Sequence, residues 1–241
     1  MSVERQSGVA LWRQIADRIR ASIASGDYDE TGRVPPEMVL ASEFGVNRHT
    51  VRSALAALAQ EGIVKAVQGI GTMIERKERL NFPISRRTRF KEGIGAQARE
   101  TEGILLASAQ EPASEDLAQR LRLATGSSLI RLETLRKADG RGVSRATAWF
   151  PAPRFSGIED AYRESGSITS AFRSLGISDY VRVATEISAT HADGQDMRDL
   201  GLSAGAIVLV TRSVNADPGG APVQYAVSRF PADRVQFTIE N

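Results

Sequence analysis

The 241-residue sequence contains no cysteine. Disulfides, thiolate nucleophiles and cysteine-based zinc sites are therefore excluded. Histidine is scarce as well: His49 and His191 are the two present. No apolar run approaches the ~18 residues of a membrane span. The first segment, MSVERQSGVA, lacks the apolar stretch of a signal peptide. These absences predict a cytoplasmic protein with no membrane association. Charge of one sign is missing too, since 31 Lys and Arg face 29 Asp and Glu, a net +2. That balance excludes a bulk polycation that holds nucleic acid by charge alone. What is present is an ordinary globular composition, 41% hydrophobic and 25% charged. The length suits one large domain or two small ones.

Charge does not divide the chain: residues 1–80 hold 11 basic and 10 acidic residues, and the remainder 20 and 19. Periodicity does. Leu11, Ile15, Ile19 and Ile23 recur every four residues, with Trp12 and Ala16 beside them, which predicts an amphipathic helix ended by Gly26-Asp27. Pro35-Pro36 opens a second, short helix, because proline is tolerated in a first turn but not in a helix interior. Val39, Leu40 and Phe44 are expected on its buried side, and Gly45 breaks it. Asn47 suits the N-cap of a third helix carrying Val51, Leu55 and Leu58 on one face, with Gly62 as its stop. Residues 63–67 and 72–74 are β-prone and flank Gln68-Gly69-Ile70-Gly71, the pattern of a hairpin.

Residues 75–91 carry seven basic residues against Glu75 and Glu78 and are the expected linker. Beyond it the chain turns to β-branched runs. Strands are expected over 104–110, 129–137, 143–150, 181–190, 207–215, 223–230 and 235–239. The second and third are joined through Asp139-Gly140, a strong hairpin signal. Helices are expected over 115–123 after Ser114, over 168–175 after Ser167, and over 193–200. Hairpin-linked strands with intervening helices indicate a mainly antiparallel α+β domain.

The sharpest chemistry lies in Asn47-Arg48-His49-Thr50-Val51-Arg52. At about 100° per residue, Arg48 and Arg52 stand one turn apart on the same helical face, flanked by His49. The first turn thus presents two guanidiniums, an imidazole and a hydroxyl while the apolar face anchors the helix. A DNA major groove accepts such a helix N-terminus, and a guanidinium can fork onto guanine or phosphate. Taken alone, the two arginines favour a solvated surface helix. Their place on a third helix, after Gly-Val-Asn and before a glycine-tipped ribbon, favours DNA.

Three stretches carry a resemblance: Val34-Pro35-Pro36-Glu37; Phe44 to Arg52; and Leu58, Glu61-Gly62 with Gln68-Gly69-Ile70-Gly71-Thr72. Together they resemble the winged helix-turn-helix of the GntR regulators. The resemblance implies that Arg48 and Arg52 contact an operator, and that Asn47, His49 and Thr50 add base or phosphate contacts. Glu37 and Gln68 join that expected DNA-binding set, and Gly69 lies close to the minor groove. Two positions depart from the pattern: Pro36 replaces the usual serine, and Met38 stands where an arginine is common.

The rest of the chain resembles the UTRA effector domain of the HutC subgroup, whose fold is like chorismate lyase. The matching residues are Leu129-Ile130-Arg131-Leu132 through Asp139-Gly140, Ser165 to Ile168, Pro222 to Tyr225 and Asp233 to Phe237. Within the subgroup, Val46–Arg52 and Gln224–Asn241 look closest to regulators of phosphonate operons. The implied fold class is α+β, with a winged helix-turn-helix domain over 1–75, a linker over 76–90 and a UTRA domain over 91–241. The resemblance implies a pocket for a small anionic effector, lined by Thr88, Arg89, Phe90, Thr134, Arg136, Ser167, Tyr225 and Ser228. Each has a plainer use as well: Ser167 as an N-cap, Arg136 on a strand surface, Tyr225 in the core, Arg89 as linker charge. Sugar-phosphate sensors of the subgroup often carry a glutamate near the position of Ala146, so a phosphonate or phosphate is expected rather than a sugar.

The implied partners are double-stranded operator DNA, a small anion and a second copy of the chain. No metal cluster or cofactor motif is present, and neither is expected. An enzyme on the lyase-like fold is the competing reading, but no HxxxH, phosphate loop or Ser-His-Asp set supports it. An architectural DNA binder would leave the second domain without a purpose.

Overall fold

The computed structural model describes residues 10–28, 30–75, 79–85, 93–94, 97–203 and 205–239. The chain divides into two compact units, Met1–Glu78 and Arg79–Asn241.

The first unit contains helices α1 (Leu11–Ser25), α2 (Glu37–Phe44) and α3 (Arg48–Gln60) and strands β1 (Arg33–Val34), β2 (Val64–Val67) and β3 (Gly71–Ile74). The four-residue repeat of α1 buries Ile15 and Ile19 fully, against Leu40, Val51, Leu55 and Leu58. Each such aliphatic side chain contributes roughly 1.5–3 kcal/mol when taken from water. Asn47 caps α3 as expected: its side chain accepts from the His49 N–H at 2.9 Å. Val39 departs from expectation. It is 52% exposed, because one helical step of 100° carries it off the side that Leu40 and Phe44 bury. The expected hairpin forms, and β1 joins it to make the order β1-β3-β2. At two residues, β1 is too short to leave a period in the sequence.

The second unit is built on a six-stranded antiparallel sheet in the order β5-β6-β7-β10-β9-β8. Its strands are β5 (Thr101–Pro112), β6 (Ser128–Ala138), β7 (Arg141–Pro151), β8 (Val181–His191), β9 (Ile207–Ala216) and β10 (Pro222–Pro231). Between them lie α4 (Glu115–Leu121), α5 (Ile158–Ser165), α6 (Ile168–Ser174) and α7 (Gly194–Leu200). The turn between β6 and β7 has positive φ at both Asp139 and Gly140. That is the twist an Asp-Gly hairpin supplies. The sequence did not signal α5, whose Ile158 and Tyr162 are its fully buried side chains.

The linker region contains a further difference. Residues 80–83, expected within the linker, form β4 (Leu80–Pro83) and pair in parallel with β11 (Val235–Thr238). Phe82 is buried there, packed edge to face with Phe237 and tilted against Phe230.

Candidate functional site

In the first unit, Glu37 opens α2 and Arg48 and Arg52 lie one turn apart on α3. The Glu37 carboxylate bridges both arginines. It accepts from Arg48 Nε at 2.7 Å, from Arg52 Nε at 3.1 Å and from Arg52 Nη2 at 2.9 Å. The Arg52 and Arg48 hydrogen bonds hold its pKa down to about 2. Arg48 and Arg52 remain more than half exposed, so the bridge orients guanidiniums that still face water. His49 is exposed beside them and Thr50 half-buried.

Gln68 and Gly69 lie in the exposed turn between β2 and β3. Gly69 has φ +77, which favours glycine, and a Cβ built there would meet nothing within 4 Å. The turn is braced from β1 by Arg33, whose Nη1 donates to the Ile70 carbonyl at 3.4 Å. Glu37, Arg48 and Gln68 line one open groove of about 950 Å³ between the start of α2 and the ribbon. Asp27 and Glu30 line it too, so the face is one of placed groups and not a basic funnel. Met38, in the place of the common arginine, is 69% exposed at the groove.

In the second unit, alternate residues of five strands point to one face of the sheet and surround a cavity of about 110 Å³. Thr134 and Arg136 come from β6, Ser144 and Ala146 from β7, and Gln224 and Ser228 from β10. Thr211, Ser213 and Asn215 come from β9, and Arg182 from β8. Phe82, Ile168, Thr169 and Tyr180 complete the wall. Thr134, Ser144, Thr211, Ser213, Asn215 and Gln224 are each at most 7% exposed. So many buried polar groups around one space mark a binding site more than a core. Some are internally paired: Asn215 Nδ2 donates to Gln224 Oε1 at 2.7 Å, and the Thr169 and Tyr180 hydroxyls are 2.8 Å apart. Burial lowers the pKa of Arg136, opposed by Tyr162 and Tyr180. Among the described lining residues there is no aspartate or glutamate.

The structure thus brings Thr134, Arg136 and Ser228 together. It separates Tyr225 from them: three residues from Ser228, its ring turns to the opposite face, stacked on Trp149 at 5.6 Å with Arg120 over it at 4.8 Å. Strand parity carried that signal in the sequence. Ser167 is not in the lining; its side chain caps α6 by accepting from the Ser170 N–H at 3.3 Å. Thr88, Arg89 and Phe90 lie outside the described residues. Ala146 does line the cavity, so a glutamate in its place would reach into it. Arg182 was not anticipated, because an arginine opening a strand has no pattern of its own.

A model of bacterial regulatory proteins of the gntR family matches residues 11–74, and a UTRA-domain model matches residues 96–236. This chain belongs to the gntR family, as a HutC-type regulator with a UTRA domain. It is 59% identical over 238 residues to an uncharacterized HTH-type transcriptional regulator, RB1450, of Rhizobium meliloti (strain 1021), covering 99% of this chain and 98% of that one. It is 29% identical to the probable transcriptional regulator PhnF of Escherichia coli (strain K12), covering 95% and 92%. The crystal structure of PhnF from Mycobacterium smegmatis matches with a TM-score of 0.63 at 25% identity, covering 92% of this chain and 98% of that one. The family and its relatives make this gntR regulator a transcriptional regulator and not an enzyme. GntR regulators bind DNA. No helix among the described residues is long and apolar enough to cross a membrane.

Proposed function

We propose that the protein is a repressor released from its operator by a small anionic metabolite of the phosphonate or phosphate class. The observation that carries the effector class is the cavity. Arg136, Thr134 and Ser228 share about 110 Å³ with no acidic residue among the described lining residues. Such a space is small beside the several hundred Å³ of a site for larger ligands, and guanidinium with hydroxyls suits a tetrahedral oxyanion. The similarity to regulators named PhnF agrees with the sequence's resemblance to regulators of phosphonate operons. Ala146 on the floor argues against a sugar held by a carboxylate.

The head over residues 1–75 supplies operator contacts through Arg48 and Arg52, with Glu37, Asn47, His49, Thr50, Gln68 and Gly69 around them. The second unit, Arg79–Asn241, holds the effector and the dimer contact, and the connection between β3 and β4 carries the change between the units. A helix-turn-helix dimer reads a two-fold operator, which fits a homodimer. The edge of the sheet supports one. β8 has β9 on one side and no strand on the other among the described residues, with Val183 and Ile187 exposed along it. An unpaired edge of that length is a template for a strand of a second copy. Bound at a promoter, the dimer excludes polymerase. Ligand shifts the operator equilibrium by its differential affinity for the two arrangements.

An operator gel shift against phosphate, a series of phosphonates and sugar phosphates tests this reading. A phosphonate or phosphate should release the operator, and Arg136→Ala should keep operator binding while losing the response. Release by a hexosamine phosphate alone, or a retained response in Arg136→Ala, would overturn it.

A further inference from the structure

Arg182 occupies an unusual position for a cation. It opens β8, its side chain lines the cavity, and its Nε is buried with no hydrogen-bond partner. Thr185, on the same strand and in register with the cavity residue Ser213, also buries its hydroxyl without a partner. The Arg182 guanidinium stands 5.9 Å from the centre of the Phe82 ring. That contact orients it but replaces none of the hydrogen bonds lost from water. Burial lowers its pKa, with Tyr180 opposing. A guanidinium largely withdrawn from water, with no carboxylate bonded to it among the described residues, is costly, and an arriving anion would offset the cost. Arg136 enters the same cavity from β6. The intervening strands are β7, β10 and β9, so the two guanidiniums approach it from well-separated strands of one sheet.

We propose that Arg182 is a ligand-binding residue, and that its charge makes the cavity selective for a doubly charged tetrahedral oxyanion over a singly charged one. The inference rests on the cavity being the effector site. It goes further in naming the second cation and the charge state it selects. The Arg182 guanidinium holds a dianion more tightly than a monoanion of the same shape, because its attraction scales with the charge of the ligand.

The test is calorimetric titration of the full-length protein above the second ionisation of phosphonates. Inorganic phosphate, methylphosphonate and the monomethyl ester of methylphosphonate are the ligands. The first two separate a phosphate sensor from a phosphonate sensor. The wild type should bind the better dianion roughly ten- to hundredfold more tightly than the ester, the ratio that hydrogen bonds to a charged group support. Arg182→Gln should collapse that ratio while weak binding through Arg136 persists, and Arg182→Lys should restore part of it. The ratio is taken within one protein, so a general loss of stability moves both ligands together and leaves it unchanged. An unchanged ratio in Arg182→Gln overturns the assignment of Arg182 alone. A wild type that binds none of the three overturns the proposed effector class, and this inference with it.

Discussion

The two units use the same side chain in opposite ways. In the head, Arg48 and Arg52 stay in water and are steered by one carboxylate, Glu37, at 2.7–3.1 Å. Charge presented like this costs little to keep, and its value lies in direction. In the second unit arginines are drawn into the protein. Arg136 and Arg182 enter the cavity, while on the other face Arg229 pairs with the fully buried Asp196 and Arg145 with Asp199. Charge held like this is costly unless paired, so the paired ones fasten structure and Arg182 awaits a ligand. The near-neutral total of the chain conceals both uses.

The largest expected effect comes from breaking a fastening pair. Asp196 is bonded to Arg229 Nε at 2.8 Å by both carboxylate oxygens, and it also closes the capping box of α7. Asp196→Ala should cost about 3–5 kcal/mol, since it removes the buried partner of a partly buried guanidinium and leaves it the more exposed Asp193 at 3.5 Å. In urea the transition of the second unit should move to lower concentration while the head keeps its own, and coincident shifts of both would argue against the division. In the head the corresponding change should spare stability and reduce reading. Arg48→Ala should weaken specific operator binding by about 1–3 kcal/mol if it meets a base. Unchanged operator affinity in a fluorescence-anisotropy titration would remove it from the site.

Glu37→Gln sharpens the contrast by releasing both head arginines from their carboxylate. On non-operator DNA the plot of log affinity against log salt should steepen by about one, as one more phosphate is neutralised. An unchanged slope would mean that the bridge does not compete with DNA. The pH dependence has a defined sign. The Glu37 pKa is depressed to about 2, so its ionised bridge contributes fully above the ordinary carboxylate range and is lost as pH falls from about 4.5 towards about 2. The glutamine variant should lack that contribution, so the pH-dependent difference in salt slope between it and the wild type should vanish as pH falls through the window, while carboxylates such as Asp193 and Asp217 titrate alike in both. The smallest effect belongs to Ser167→Ala. Losing the cap of α6 should cost about 1 kcal/mol of stability, read in the same urea experiment, with ligand affinity unchanged. A large loss of affinity would return Ser167 to the ligand site.

Much of this molecule was legible in the sequence where the cause is local. The four-residue repeat of Leu11, Ile15, Ile19 and Ile23, the Asn47 cap and the Asp139-Gly140 turn each express a preference of a few adjacent residues, and each forms as expected. The ordered set from Val34 to Thr72 also sufficed to identify the reading head. Tyr225 marks an intermediate case. Its separation from Ser228 follows from strand parity alone, but which face of β10 holds the cavity depends on what packs there.

The remainder was decided by contacts between distant parts of the chain. Leu80–Pro83 became a strand because Val235–Thr238, more than 150 residues on, offered a parallel edge, and four residues have no period to announce it. Arg182 became a cavity residue because β8 closes the sheet beside Asn215 and Phe82 stands over its guanidinium. By itself the sequence determined every helix but α5, with the caps and turns, and through them the family. Tertiary structure alone decided which charges face water and which are withdrawn from it, because burial belongs to the assembled neighbours and not to the residue.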